Sequence, residues 1–207
     1  MAVPTYTEVR AYLENYGVSA TQLSDAWITA RIANFVVPYV EKITRQSFSA
    51  IKTVTEYHSG NAKNILILDR RPIVAVTEVS YVLGGNTLRI LNLAMIETVA
   101  QQGILKAKTN YDEAFLLPLF AKGEYNIKVQ YTYGTTTPPD DVKEAMLYLT
   151  ASRCLTFVGA RTGGGSLGIQ SHNRNYGNRG KYHDIIQTLD ADAHSILRKY
   201  STGLVGS

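Results

Sequence analysis

The feature that most constrains this chain is a hydrophobic pattern that changes its period twice. Up to Phe48 apolar residues recur at three- and four-residue steps, beyond it they recur at every second residue, and from Thr137 the helical spacing returns. A helix buries a stripe and a strand buries a face, so the order is helices, sheet, helices. Short strands at close spacing with no helix between them pair antiparallel. The expected class is therefore α+β: a helical bundle with an antiparallel β subdomain inserted between its second and third main helices. The pattern divides the chain into N-terminal helices at 1–48, the insert at 49–134 and C-terminal helices at 135–207.

Thr5 and Glu8 have the spacing of a capping box, and Gly17 ends the helix that they open. Ser19 and Gln22 repeat the device ahead of a longer helix, whose stripe runs from Leu23 to Ile43 and in which Pro38 predicts a kink or two abutting helices. Strands are expected at 50–57, 64–68, 73–83, 87–91, 103–108 and 125–133. In the last, Ile127, Val129, Tyr131 and Tyr133 share one face and Lys128, Gln130 and Thr132 the other, as in a sheet wet on one side. LGGN at 83–86 is a hairpin turn, and Ser59 to Asn64 is read as another. Thr137, two prolines and two aspartates open the third helix, which Gly159 closes. A loop with no acidic residue follows at 161–181, then a last helix with a stripe from Tyr182 to Tyr200 and a mobile tail.

Composition narrows the functions. Cys154 is the single cysteine among 207 residues, so no intramolecular disulfide staples the fold. The start MAVPTYTEV has neither the basic nor the apolar segment of a signal peptide, and no stretch is long and apolar enough to span a membrane, so assembly in the cytoplasm is expected. A net charge of +4 permits contact with nucleic acid without demanding it. Fourteen tyrosines against five phenylalanines favour half-buried surfaces and subunit contacts.

Catalytic and metal motifs are missing. Cys154 sits in an apolar helical stretch, where a thiol behaves as a small hydrophobe, and His183 and His194 are about three helical turns apart, too far to share an ion. There is no CxxC, HExxH or EF-hand spacing, and GGGSLG at 163–168 lacks the lysine and hydroxyl of a phosphate-binding loop. No enzymatic activity, cofactor or metal is expected. The 161–181 loop instead gathers Arg161, Arg174, Arg179 and Lys181 among glycines and asparagines, a composition suited to sequence-blind contact with DNA phosphates. Apolar contact with partner subunits is expected from Phe115, Leu116, Leu117, Leu119 and Phe120, which compete with a reading as buried core, and from Tyr200, Leu204 and Val205.

Three stretches taken in order, EKITRQSF, TEYHSGNAKNILILDRRPIVAVTEVSYV and IKVQYTYGTTTPPDDVKEAMLYLTA, resemble the head-tail connector (adaptor, or head-completion) proteins of tailed bacteriophages over roughly residues 21–155. The resemblance implies a virion protein of the neck. It implies a homo-oligomeric ring of about twelve copies, docked beneath the portal through its C-terminal part, extending the channel for double-stranded viral DNA and offering a platform to the next neck or tail component. The β insert and the long glycine-rich loop depart from the shorter, all-helical members. A tail-side completion, stopper or terminator protein and a non-specific DNA-binding accessory protein are the competing readings.

Overall fold

The computed structural model describes residues 3–108, 120–162 and 179–201. Its class is α+β, with the strands inserted between helical segments. The chain divides into two compact units, Met1–Thr44 with Thr137–Ser207, and Arg45–Thr136.

In the helical unit α1 (Tyr6–Glu14) carries the capping box: the Glu8 N–H donates to the Thr5 hydroxyl at 3.3 Å and the Thr5 N–H to the Glu8 carboxylate at 2.8 Å. Ser19 and Gln22 also close on each other, through the Ser19 N–H and Gln22 Oε1 at 2.8 Å, but they form a turn and not a helix start. The next helix, α2 (Asp25–Arg31), is capped by Ser24. Asp25 complements its dipole there, and Leu23 and Ile28 are both buried at the positions of a hydrophobic staple; Ser19 has a similar buried pair in Val18 and Leu23, but no acid follows it in Ala20, Thr21 and Gln22.

Pro38 does not divide the helical run. Ile32–Val36 widens into a π turn, with the Val37 N–H reaching the Ile32 carbonyl, and α3 (Val37–Thr44) continues beyond it. A wider turn accommodates a residue that has no donor for the usual ladder.

Helix α4 (Asp140–Thr162) runs through the middle of this unit, with Val142, Met146, Leu149, Cys154, Leu155 and Val158 all buried. Gly159 lies inside the helix beside Tyr182 and does not close it. Packing against α5 (Arg179–Ser201) outweighs the cost of about 1 kcal/mol for an internal glycine. The two helices are antiparallel, since Tyr182 meets Gly159 while the Tyr200 hydroxyl donates to Asp141 at 2.6 Å.

The β unit holds β1 (Lys52–Gly60), β2 (Ile65–Ile67), β3 (Ile73–Leu83), β4 (Asn86–Ile90), β5 (Ile96–Val99), β6 (Ile104–Ala107) and β7 (Gly123–Tyr133). They form an antiparallel sheet ordered β1-β7-β3-β4 and a smaller one ordered β2-β6-β5. The expected face of β7 is the inner one: Ile127, Val129 and Tyr131 are fully buried. They share a core with Leu66, Ile96 and Leu105 of the smaller sheet and with Phe120. Gly84 and Gly85, at φ 57° and 85°, make the LGGN turn between β3 and β4.

Ser59 to Asn64 is not a hairpin, because β1 and β2 belong to different sheets. The end of β1 is held elsewhere. The Gly60 N–H donates to Asn126 Oδ1 at 2.8 Å, Asn126 donates to the Ala121 carbonyl at 3.0 Å, and the Ala62 N–H reaches the Phe120 carbonyl at 2.9 Å. A side chain at Gly60 would place its Cβ 1.8 Å from the Ala121 oxygen, so only glycine permits this approach.

Candidate functional site

The basic loop read from the sequence is shorter in the structure. Arg161 stands in the last turn of α4, and Arg179 and Lys181 stand in the first turn of α5. Arg174 and the side chains of Arg179 and Lys181 lie outside the described residues. Because α4 and α5 are antiparallel, Arg161, Arg179 and Lys181 sit at one end of the helical hairpin. The first turn of α5 contains no acid, so Arg179 and Lys181 occupy positions where the helix dipole favours anions, each at a disadvantage of about 0.3–1 kcal/mol.

The apolar contact positions separate. Phe115, Leu116, Leu117 and Leu119, like Leu204 and Val205, lie outside the described residues. Phe120 is fully buried in the β unit, which leaves it no surface to offer a partner. Tyr200 is half-buried with its hydroxyl on Asp141, and burial first, then that carboxylate, pushes its pKa up to about 12. Exposed apolar residues occur instead on the β3–β4 hairpin: Leu83 at the end of β3 is 70% exposed, and Leu88 and Ile90 on the edge strand β4 are each 64% exposed.

The polar clusters of the β unit are structural. Glu56 accepts from the Tyr131 hydroxyl at 2.6 Å and from the Asp69 N–H at 2.9 Å, and it lies 2.9 Å from His58 Nε2. Tyr131 in turn accepts from the Arg70 N–H at 3.0 Å. The network thus holds the Asp69–Arg70 segment to the middle of the larger sheet. Burial raises the Glu56 pKa, but the hydrogen bonds from His58, Tyr131 and Asp69 outweigh it and leave the carboxyl below its ordinary value.

Cys154 is fully buried, and burial pushes its thiol up to about 12, the opposite of an activated nucleophile. Among the described residues no group of His, Cys, Asp or Glu could hold a metal ion, and no helix is long and apolar enough to cross a membrane.

The helical unit carries a surface that was not anticipated, built from two segments with aromatic and cationic residues at four-residue steps: Trp27, Arg31, Phe35 and Arg153, Phe157, Arg161. That spacing places each set on one helical face. The sets interlock, with Trp27 and Phe157 ring centroids 4.6 Å apart, Arg31 4.7 Å over Trp27, Arg153 5.1 Å over Phe35 and Arg161 4.8 Å over Phe157. Phe35 also stacks on Tyr39, whose hydroxyl lies 2.9 Å from His194 Nε2. Arg31, Arg153 and Arg161 form no ion pair among the described residues.

A second cluster joins Tyr12 to Tyr16 and Tyr148, with centroids 5.6 and 5.7 Å apart. Tyr148 donates to Glu144, which pushes its pKa up to about 12, with burial and Asp192 adding to the effect. Tyr12 is also raised, by burial first and in part by Asp192.

Solved structures share the fold. A chain from the virion of a native gene transfer agent particle matches all of this chain and 95% of its own length, with a TM-score of 0.55 and 15% identity. A chain from the neck of an empty gene transfer agent particle, computed with C6 symmetry, covers 91% of this chain and 92% of itself at TM-score 0.50 and 16% identity. A third, from the neck of a native particle computed with C12 symmetry, reaches TM-score 0.43 and 15% identity over 91% of each chain. At such identities the likeness of the first two is one of fold. No protein-family profile and no curated protein matches the sequence.

Proposed function

We propose that this chain is a structural protein of a phage-like virion neck, an adaptor subunit whose work is assembly and not turnover. The observation that carries the reading is the end-to-end correspondence of fold, across both units, with a chain of a gene transfer agent virion and one of its neck. The sequence resemblance to head-tail connectors points the same way from different evidence. In this reading about twelve copies form a ring. The ring docks beneath the portal, prolongs the DNA channel and supports the next neck or tail component.

Arg161, Arg174, Arg179 and Lys181 face the lumen in this arrangement. DNA carries one negative charge per ~1.7 Å of its axis, and a ring multiplies the modest positive charge of each subunit into a collar. Duplex phosphates would offset the local disadvantage of Arg179 and Lys181 in the first turn of α5. Contact of this kind is weak, salt-sensitive and blind to sequence, as a channel through which DNA slides requires. Tyr200, Leu204 and Val205, in the C-terminal part, are proposed for the portal side, with Phe115, Leu116, Leu117 and Leu119 as further contact positions.

Electron cryo-microscopy of the purified protein mixed with portal-bearing, tailless heads of its own particle tests the proposal. A ring added below the portal is expected. Heads left bare overturn the adaptor assignment, and protein found on isolated tails would move it to the tail side. Charge reversal at Arg161, Arg174, Arg179 and Lys181 should impair DNA retention or passage while ring assembly persists.

A further inference from the structure

The helical unit carries opposite chemistry on opposite sides, and α4 shows this most directly. Exposed Glu144 and half-exposed Tyr148 lie in its first half, whereas exposed Arg153 and Arg161 and half-exposed Phe157 lie in its second. Glu144 and Arg153 are nine residues apart, as are Tyr148 and Phe157. At about 100° per residue, that separation is about half of the helical circumference. The exposed face of α4 therefore changes sides midway.

Helix α5 repeats the division. Asp192 acts on Tyr12 and Tyr148, whereas His194, about 200° further round the helix, bonds to Tyr39. One side thus presents Tyr12, Tyr148, Glu144 and Asp192, and the opposite side presents Trp27, Phe35, Arg31 and Arg153.

Resting on the neck reading above, we propose that these two sides are the halves of one interface between copies of this chain: the arginine-aromatic side of each subunit seats on the tyrosine-carboxylate side of the next. The charges are complementary and available. Arg31 and Arg153 form no ion pair among the described residues, and neither do Glu144 and Asp192. Tryptophan, tyrosine, phenylalanine and arginine are also the residue types enriched where protein interfaces bury their centres.

The placement dictates the symmetry. Two different patches on opposite sides join copies head to tail, a contact that propagates and closes into a ring when the rotation per subunit permits. Pairing like sides would set arginine against arginine, so the same charges disfavour a closed two-fold dimer. Arg31 stacked over Trp27 and Arg153 over Phe35 are held in place before a carboxylate arrives, which lowers the entropic cost of forming the pair.

The test uses the full-length chain and two doubly substituted variants, Arg31→Glu with Arg153→Glu, and Glu144→Arg with Asp192→Arg. Each is examined alone and as an equimolar mixture, by native mass spectrometry at high concentration and by co-sedimentation with portal-bearing heads, with circular dichroism verifying the fold. Each variant alone should associate with its own copies at least about 100-fold more weakly than wild type. The mixture should recover assembly, because each variant then meets a complementary face on both sides.

Variants that assemble like wild type, or a mixture that fails to recover while wild type assembles, overturn the assigned faces and leave the neck reading standing. If wild-type protein neither self-associates nor sediments with heads, the neck reading falls and this interface falls with it.

Discussion

Replacing Tyr131 with phenylalanine removes one oxygen from the network that ties the Asp69–Arg70 segment to the larger sheet, and keeps the buried ring. Two losses follow. The O–H bond to the Glu56 carboxylate disappears, and the Arg70 N–H loses the Tyr131 oxygen as its acceptor. A hydrogen bond to a charged group contributes about 1.5–3 kcal/mol and a stranded donor costs about 1 kcal/mol or more, so Tyr131→Phe should destabilise the β unit by about 2–4 kcal/mol.

The loss should depend on pH with a definite sign. Glu56 is held below its ordinary value near 4.5, so its contribution is complete above that value and is lost as pH falls through the lower folded one. The variant relaxes part of that depression. The difference from wild type should therefore be full near pH 7 and shrink below about pH 4.5.

Hydrogen exchange of β1 and β7 peptides in the full-length chain, corrected for intrinsic rates, measures the β unit. Fluorescence of Trp27, the single tryptophan, reports the helical unit as an internal control. A loss below about 0.5 kcal/mol, or a difference that stays constant from neutral pH to about pH 3, would refute the reasoning.

Two further outcomes follow from burial and backbone packing. With its thiol pushed from 9.0 to about 12 by burial, native Cys154 should react with iodoacetamide about 1000-fold more slowly than in the urea-unfolded chain, and equal rates would show that the site is open. Gly60→Ala and Gly84→Ala should differ sharply in chemical denaturation of the β unit. The added Cβ meets the Ala121 carbonyl at 1.8 Å in the first but open space in the second, where only the positive φ costs about 1–2 kcal/mol, so equal losses would refute the close approach at Gly60.

Local signals in the sequence are legible where they are self-sufficient. The Thr5–Glu8 capping box, the LGGN turn and the alternation along β7 each depend on residues within a few positions of one another. The errors arose where partners are distant. Ser19 has the spacing of a cap and a buried apolar pair in Val18 and Leu23, but it lacks the first-turn acid that Asp25 supplies after Ser24. β5 escapes the sequence pattern because a four-residue segment with a single buried position carries almost no periodic signal. The arginine-aromatic surface was visible as two runs at four-residue spacing, but nothing in either run announces the other, 122 residues away between Arg31 and Arg153.

The order of helix, sheet and helix, and with it the α+β class, followed from the amino acids alone, because backbone geometry turns hydrophobic period directly into secondary structure. The pairing of those elements did not. Gly60 could have turned β1 back onto β2, and it is the close contact with Ala121 and Asn126 that sends β1 to the other sheet. Likewise Glu144 and Arg153 are merely charges on one helix until α1, α5 and the α2–α3 run pack against it. That packing buries most of α4 and leaves its two halves exposed on opposite sides, so that one sequence of residues becomes two distinct surfaces.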